Sequence, residues 1–209
     1  MILENEQPQF KGKTVAVISI GTGLGCGLIC DNALLQGENK LAGELGHMIF
    51  GATTTKPPLT LLRVREYCSG SGIARLASSL AENGSLRDLL SIQQSAPVTA
   101  EVICQRAVDG NPFAMKVWET FMDLLSILLF NVSCVVDPAV IVVGGGVTSS
   151  RMFDVQELEI LTNSHRQGFL NRNPIRILPG RLGDKGVLYG LRSLHIQPPQ
   201  GYSRKQKRL

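Results

Sequence analysis

The amino-acid sequence predicts an α/β protein in which a mixed β-sheet is flanked by helices. Two apolar runs supply its central strands. Residues 14–20 are β-branched and lead into a hairpin, and residues 139–143 have the wholly apolar character of a strand buried in a parallel sheet. Apolar residues recur at helical spacing between and after these runs. A hairpin followed by alternating helices and strands is typical of one α/β layer. The sequence shows no internal repeat and no second domain boundary.

The N-terminal hairpin is predicted from its two strands and its turns. After the strand at 14–20, the glycine-rich segment 21–27 predicts a turn, and residues 28–30 predict the returning strand. The pair Asp31-Asn32 predicts the turn that ends this strand.

The next part of the chain predicts a short helical turn that runs into a strand over residues 41–50, followed by a loop over 51–59. A helix is predicted over 69–81, with its exit near Gly84. Its apolar face consists of Ile73, Leu76, Ala77 and Leu80.

Two further helices precede the second central strand. Thr99 can cap a helix that ends at Asp109-Gly110, since its hydroxyl can accept from free N–H groups of the first turn. A long helix is predicted over 111–136, with Pro112 in its first turn, and Asp137-Pro138 ends it.

The C-terminal part alternates in the same way. The strand at 139–143 runs into three consecutive glycines, and a helix is predicted over 150–168. A strand at 175–178 and a last helix over 183–194 complete the layer.

Length and composition exclude several classes of protein. The 209 residues, of mass 22.6 kDa, are enough to bury a core without a disulfide or a metal. Hydrophobic residues at 44% and a mean hydropathy of +0.11 exclude a disordered chain. The net charge of +4 comes from four bases in the last eight residues, and the remaining 17 bases balance 17 acids. A neutral body with a basic tail makes nucleic acid an unlikely partner.

The five cysteines are scattered and form no C-x-x-C pair, which is typical of reduced thiols in a cytoplasmic protein. The N-terminus has neither the basic region nor the apolar region of an export signal. The apolar stretch at 124–136 is shorter than the ~20 residues that span a bilayer. We therefore expect a buried helix there and no membrane contact.

The first glycine cluster follows a strand, as phosphate-binding loops do, because glycine lets backbone N–H groups face a concavity. A dinucleotide-binding fingerprint fails on register, since Cys26 or Leu28 stands where its third glycine belongs, and the following element is a strand. A Walker A loop is excluded because the one Gly-Lys-Thr tripeptide, Gly12-Lys13-Thr14, precedes the first strand, and Gln7 stands where the first glycine of that loop belongs. Two interpretations stay open: a hairpin turn that binds a triphosphate, with residues 144–146 against adenine or ribose, or two ordinary tight turns.

The arrangement as a whole resembles the ROK family (repressor, open reading frame, kinase), a branch of the actin-like ATPase and sugar-kinase (ribonuclease H-like) fold. The resemblance covers residues 15–193. It rests on five motifs in the family's order, which are Ile20-Gly21-Thr22-Gly23-Leu24-Gly25-Cys26-Gly27-Leu28-Ile29 continuing through Ala42-Gly43-Glu44-Leu45-Gly46-His47, then Glu66-Tyr67-Cys68-Ser69-Gly70, Asp137-Pro138, Val142-Val143-Gly144-Gly145-Gly146-Val147, and Leu178-Pro179-Gly180 with Leu182-Gly183-Asp184.

The resemblance implies roles for matching residues. Nucleotide-binding positions are Gly21, Thr22, Gly23, Gly25, Gly144, Gly145 and Gly146. The hexose-binding positions are Glu44, His47 and Glu66, whose carboxylates and imidazole suit a pattern of sugar hydroxyls. It also implies ATP and Mg²⁺ as cofactors, a hexose or N-acetylhexosamine as substrate, and a homodimer.

The sequence departs from the family pattern at its zinc site. Many members hold zinc between this histidine and a cysteine cluster that precedes the second acid. Residues 48–65 contain no cysteine, and Cys68 lies beyond Glu66. We therefore expect no zinc, and we expect the Thr-rich segment with Pro57-Pro58 to replace the zinc loop.

A second departure concerns catalysis. The family's first phosphate motif, Asp-x-Gly-Gly-Thr, and its Asn-Asp pair with the general base are both missing, and only 13 residues precede the first strand. The catalytic residue is therefore unknown. The sequence predicts a C-terminal lobe over 14–197, an N-terminal remnant over 1–13 and a basic tail over 198–209. Its function would be that of a sugar kinase lobe. The alternatives are a fragment of a sugar-responsive ROK transcriptional regulator, or an inactive sugar-binding remnant.

Overall fold

A computed structural model of the protein describes residues 10–53, 60–81, 85–93, 95–166 and 173–180. The main sheet has five strands in the order β3-β2-β1-β6-β7, and a small second sheet pairs β4 with β5. The strands are β1 (Val15–Ile20), β2 (Leu24–Cys30), β3 (Ala33–Leu34), β4 (Ile49–Thr53), β5 (Thr60–Arg63), β6 (Val140–Gly144) and β7 (Ile177–Pro179). The helices are α1 (Gly70–Leu80), α2 (Leu86–Leu89), α3 (Ala100–Val108), α4 (Pro112–Val136) and α5 (Val155–Ser164).

Strand β1 organises the main sheet. It pairs antiparallel with β2 and parallel with β6, and β6 pairs parallel with β7. This confirms the predicted mixed sheet flanked by helices. In the parallel register Ser19 lies opposite Gly144. The carboxyl ends of β1 and β6 therefore meet at one edge, and the two glycine clusters that follow these strands are brought together there.

Both faces of β1 are buried. Ala16, Ile18 and Ile20 belong to the larger core, which includes residues of α1, α3 and α4. Val15 and Val17 belong to a smaller cluster on the opposite face. Successive side chains of a strand point to opposite faces, so this alternation places β1 between two apolar layers.

Helix α4 confirms the predicted long helix. The Asn111 side chain accepts from the Ala114 N–H, Pro112 stands in the first turn, and Asp137 ends the helix in the left-handed conformation at φ 46°. By length and composition alone it could cross a membrane, and it is the one such helix among the described residues. Core helices pass the same test, and residues such as Phe121 and Leu125 of α4 are fully buried in the larger core.

The predicted turn over 21–27 is wrong beyond Gly23. Gly25 and Gly27 lie in β2, opposite Ser19 and Val17. The N–H and C=O groups of β1 must be paired, and the backbone of β2 pairs with them whatever its side chains are.

The predicted loop over 51–59 is also wrong at its start, because β4 continues to Thr53 and pairs with β5. The helix predicted over 150–168 is shorter, since the Asp154 side chain accepts from the Gln156 and Glu157 N–H groups and begins α5 there. Strand β3 and helix α2 were not predicted. The last predicted helix, the exit at Gly84, and Pro57-Pro58 lie outside the described residues.

Candidate functional site

An open cleft of about 980 Å³ lies at the sheet edge where the two glycine clusters meet. Its walls come from the turn between β1 and β2, the first turns of α1, one face of α3 along its whole length and the segment after β6. The lining residues include Gly21, Thr22, Gly70, Ser71, Thr99, Glu101, Cys104, Gly146, Ser150 and Arg151.

Residues 21–23, which form the β1–β2 turn, are held by the N-terminus of α1. The Gly70 N–H donates to the Gly21 carbonyl at 2.7 Å, and the Ser71 N–H donates to the Thr22 carbonyl at 3.2 Å. The Ser71 hydroxyl donates to the same Thr22 carbonyl at 2.9 Å. A Cβ on residue 70 would lie 2.9 Å from the Gly21 oxygen, so this close contact requires glycine. The helix thus satisfies two successive carbonyls of the turn.

The junction after β6 also depends on a glycine. Gly145 has φ +103°, and a Cβ there would lie 2.5 Å from the Ile20 carbonyl oxygen at the end of β1. Only glycine combines this conformation with such an approach. The Thr148 hydroxyl donates to the Gly145 carbonyl at 2.8 Å and fixes the 3₁₀ turn at Gly146–Ser149.

The structure distinguishes among the predicted nucleotide-binding residues. Gly21, Thr22 and Gly146 line the cleft. Gly145 allows the end of β6 to approach the Ile20 carbonyl at the end of β1. Gly23, Gly25 and Gly144, like Gly145, do not line the cleft.

The predicted hexose-binding residues lie on two neighbouring 3₁₀ turns. Glu44 caps the turn Leu45–His47, and the His47 Nε2 lies 3.9 Å from the Glu44 Oε2. Both of these side chains are exposed. Glu66 ends the turn Val64–Glu66, and its Oε1 lies 3.9 Å from the Arg75 Nη1. The turns are so close that a Cβ on Gly46 would lie 3.3 Å from the Arg65 Cβ. The structure brings all three residues to one region, and none of them lines the cleft.

The β4–β5 sheet connects these two turns. Strand β4 begins two residues after His47, and β5 ends directly before Val64. The Val64 N–H donates to the Met48 carbonyl at 2.9 Å, and the Val64 side chain is fully buried. Backbone pairing therefore joins the segments that carry His47 and Glu66. Among the described residues, no group of three or more His, Cys, Asp or Glu could hold a metal ion. That no zinc is bound stays a prediction.

Two groups in the cleft have shifted pKa values. The hydrogen bond from the Thr99 side chain lowers the pKa of the Glu101 carboxyl. Burial raises the pKa of the Cys104 thiol. The cleft therefore carries an ionised carboxylate and a neutral thiol at neutral pH. Neither residue was predicted from the sequence to belong to the site, and the same is true of Ser71 and Arg151. For Glu101 a signal existed, because acidic residues are enriched in the first turn of a helix, and Thr99 caps this one.

A model of the ROK family matches residues 6–197 of this chain. The chain belongs to the ROK family. It is similar to N-acetyl-D-glucosamine kinase from Yersinia pseudotuberculosis, with 31% identity over 201 residues, which is 90% of this chain and 61% of the relative. It is also similar to the N-acetylgalactosamine kinase AgaK of a Shewanella species, with 33% identity over 138 residues, which is 62% of this chain and 41% of the relative. The ROK chain thus spans 61% of the length of the Yersinia kinase.

Solved structures support the fold of this ROK protein. The ROK glucokinase from Streptomyces griseus, solved with glucose and AMPPNP, has a TM-score of 0.73 at 24% identity, over 88% of this chain and 60% of that one. The ROK hexokinase from Thermus thermophilus has a TM-score of 0.69 at 20% identity, over 88% and 57%. The predicted actin-like ATPase and sugar-kinase fold and the predicted family are confirmed.

Proposed function

We propose that this chain is the C-terminal lobe of a carbohydrate kinase, formed by residues 14–197, which binds the nucleotide in the cleft and a hexose or N-acetylhexosamine beside it. The observation that carries the proposal is the joining of the two glycine clusters at one sheet edge, with Gly145 against Ile20. The named activities of the relatives, kinases for N-acetylglucosamine and N-acetylgalactosamine, support the substrate class.

The cleft suits ATP in size and chemistry. Thr22 offers a hydroxyl on its wall, and Gly146 gives a wall without a side chain. Arg151 adds a positive charge to the same wall. When bound, ATP with Mg²⁺ would supply the phosphoryl group to be transferred. The residues of this chain would hold the nucleotide and keep it in register with the hexose.

The hexose would be held by Glu44, His47 and Glu66. Carboxylates accept hydrogen bonds from vicinal hydroxyls, and an imidazole can donate or accept, so the three can recognise a hydroxyl pattern. The exposed Glu44 and His47 side chains are free to contact a ligand. Glu66 is less exposed and is oriented by Arg75.

We assign no residue of the cleft as the general base of the reaction. Among the described lining residues the one carboxylate is Glu101. Its lowered pKa makes it a weak base at neutral pH. We therefore expect the 209-residue chain to bind ligands and to transfer phosphate slowly or not at all. A homodimer and a cytoplasmic location are further parts of the proposal.

The test is calorimetric titration of the chain with MgADP, and separately with N-acetylglucosamine, N-acetylgalactosamine and glucose. We expect binding of MgADP and of at least one sugar. Glu44→Ala should weaken sugar binding at least tenfold and leave MgADP binding unchanged. Glu38→Ala is the matched control, because Glu38 is an exposed acid in the same loop region and has no predicted role.

Four outcomes would contradict the proposal or a prediction that accompanies it. Unchanged sugar affinity in Glu44→Ala would show that the hexose site is elsewhere. Sugar binding without nucleotide binding would favour the sugar-responsive regulator. Rapid ADP release from ATP and a sugar by this chain alone would show that it contains its own general base. Metal analysis that found one zinc per chain would contradict the prediction that no zinc is bound.

A further inference from the structure

One buried serine, Ser69, and one exposed serine, Ser71, connect the Glu66 segment with the β1–β2 turn. The Ser69 hydroxyl donates to the Arg65 carbonyl at 2.7 Å, one residue before Glu66. The Ser71 hydroxyl donates to the Thr22 carbonyl at 2.9 Å, on the wall of the cleft. The two hydroxyl oxygens lie 3.1 Å apart. A series of polar contacts thus runs from the proposed hexose side to the proposed nucleotide side.

The two serine hydroxyls have fewer protons than contacts. Each serine hydroxyl has one proton, so two protons serve three contacts: one to the Arg65 carbonyl, one to the Thr22 carbonyl, and one between the hydroxyls. When both protons go to the carbonyls, the contact between the serines has none. If the Arg65 carbonyl moves away, Ser69 can donate to Ser71 instead. A change at one end therefore alters the bonding available at the other end.

The residues around Ser69 are tightly packed. Ser69 is fully buried and also accepts from the Gly72 N–H at 3.0 Å, as the N-cap of α1. A Cβ on Gly72 would lie 2.7 Å from the Tyr67 carbonyl carbon, so the helix start is pressed against the segment that follows Glu66. Close-packed segments move together and transmit displacements, because the gaps between them are too small to absorb a shift.

We propose that Ser69 and Ser71 are positioning residues that hold the Glu66 segment and the β1–β2 turn as one unit, so that a ligand at either site changes the affinity of the other. The contacts of Ser69 and Ser71 support the joining of the two segments whether or not a ligand is bound. The change in affinity rests on the proposed function. By linkage, the nucleotide changes sugar affinity by the same factor as the sugar changes nucleotide affinity.

The first test needs no ligand and measures amide hydrogen exchange by NMR in the 209-residue chain. Ser71→Ala should accelerate exchange about fivefold to tenfold at the residue 70 and 71 amides, which donate to the turn. It should also accelerate exchange at the Tyr67 and Cys68 amides, which donate to the Val64 carbonyl at the other end. Acceleration at 70 and 71 alone would overturn the proposal.

Matched variants separate this effect from a general loss of stability. Ser78→Ala removes an exposed serine of the same helix that does not line the cleft and whose hydroxyl donates to the Ala74 carbonyl. It should leave exchange unchanged at both ends. Ser71→Thr keeps the hydroxyl and should restore slow exchange. An equal acceleration in Ser78→Ala, or no rescue by threonine, would assign the effect to the helix as a whole and would overturn the proposal.

The second test titrates MgADP with and without saturating N-acetylglucosamine. We expect the sugar to change MgADP affinity about fivefold in the unmodified chain and in Ser78→Ala, and by a factor near one in Ser71→Ala. Independent binding in the unmodified chain would overturn the coupling. If neither ligand binds, the proposed function fails, while the exchange measurement still decides whether the serines join the two segments.

Discussion

The two sides of the candidate site are built in different ways. On the proposed nucleotide side, backbone atoms are in close contact with the core: Gly145 faces the Ile20 carbonyl, and Gly70 faces the Gly21 carbonyl. On the proposed hexose side, Glu44 and His47 extend from a 3₁₀ turn into solvent. The first side thus consists of main chain that the sheet positions, and the second consists of side chains on short turns.

This difference separates stability from recognition. A substitution on the nucleotide side has to displace backbone that is packed against β1, so it changes the free energy of unfolding. A substitution of an exposed side chain on the hexose side removes few contacts and should leave folding intact. The β4–β5 sheet and the serine pair Ser69 and Ser71 lie between these extremes, because they connect exposed turns to the core.

The largest effect is expected for Gly145→Ala. An added Cβ would meet the Ile20 carbonyl and would force alanine into a positive φ, so we expect a loss of about 3–5 kcal/mol in the free energy of unfolding. Urea denaturation measures it. Gly110→Ala is the control, since Gly110 has φ +83° and open space, and it should lose only about 1 kcal/mol. Equal losses would show that the contact with Ile20 does not matter.

A smaller loss is expected for Ser69→Ala, at the connection between the two sides. The substitution removes a helix cap and leaves the buried Gly72 N–H without its partner, which should cost about 1–2 kcal/mol. Ser85→Ala provides the comparison, because Ser85 caps α2 without a side-chain hydrogen bond. Its loss should stay below about 0.5 kcal/mol in the same urea measurement. Similar losses in both variants would argue against a structural role for the Ser69 hydroxyl.

A still smaller, pH-dependent effect is expected for Glu101→Gln. The folded-state pKa of Glu101 lies below its ordinary value of 4.5, so the ionised group stabilises the fold above that pH. This contribution disappears as the pH falls through the folded-state pKa. Because the carboxylate is exposed and screened, the difference at pH 7 should be a few tenths of a kcal/mol.

Comparing urea unfolding at pH 7 and pH 3 measures this difference. The Thr99→Val background removes the hydroxyl that lowers the pKa, and there the effect of Glu101→Gln should shrink. An effect that persisted at pH 3 would show a cause other than ionisation.

The smallest effect on stability is expected on the hexose side. Glu44→Ala and His47→Ala should change the free energy of unfolding by less than about 0.5 kcal/mol, because both side chains are exposed and their mutual contact is 3.9 Å long. Thermal and urea unfolding of each variant measure this. A loss above about 1 kcal/mol in either variant would remove the contrast between the two sides.

Much of the fold could be predicted because its signals are local. Thr99 and Asn111 cap their helices as their side chains allow, and Pro112 occupies a first turn where it loses no hydrogen bond. The β4–β5 pairing could not be predicted in this way. Its partners are defined by backbone hydrogen bonds between separate segments, and Thr-rich sequence resembles a loop as much as a strand.

The candidate site was predicted unevenly for a similar reason. The glycine clusters and the Gly-Glu-Leu-Gly-His motif are visible in the sequence and resemble the family. The sequence does not reveal that Ser71, Cys104 and Arg151 line the cleft. These residues lie on separate elements, and only folding brings them together. Ser71 in particular gave no sign that its hydroxyl would donate to Thr22, 49 positions earlier.

The sequence by itself determined the central strands, the helices α3 and α4 with their N-terminal signals, and the glycines at the ends of β1 and β6. Periodicity, capping and backbone freedom act within a few residues, so they can be inferred from the order of the amino acids. The tertiary structure decided that Gly145 lies against Ile20 and that the two 3₁₀ turns of the hexose side are neighbours. The parallel pairing of β1 with β6 joins residues more than a hundred positions apart, and no local preference defines that contact.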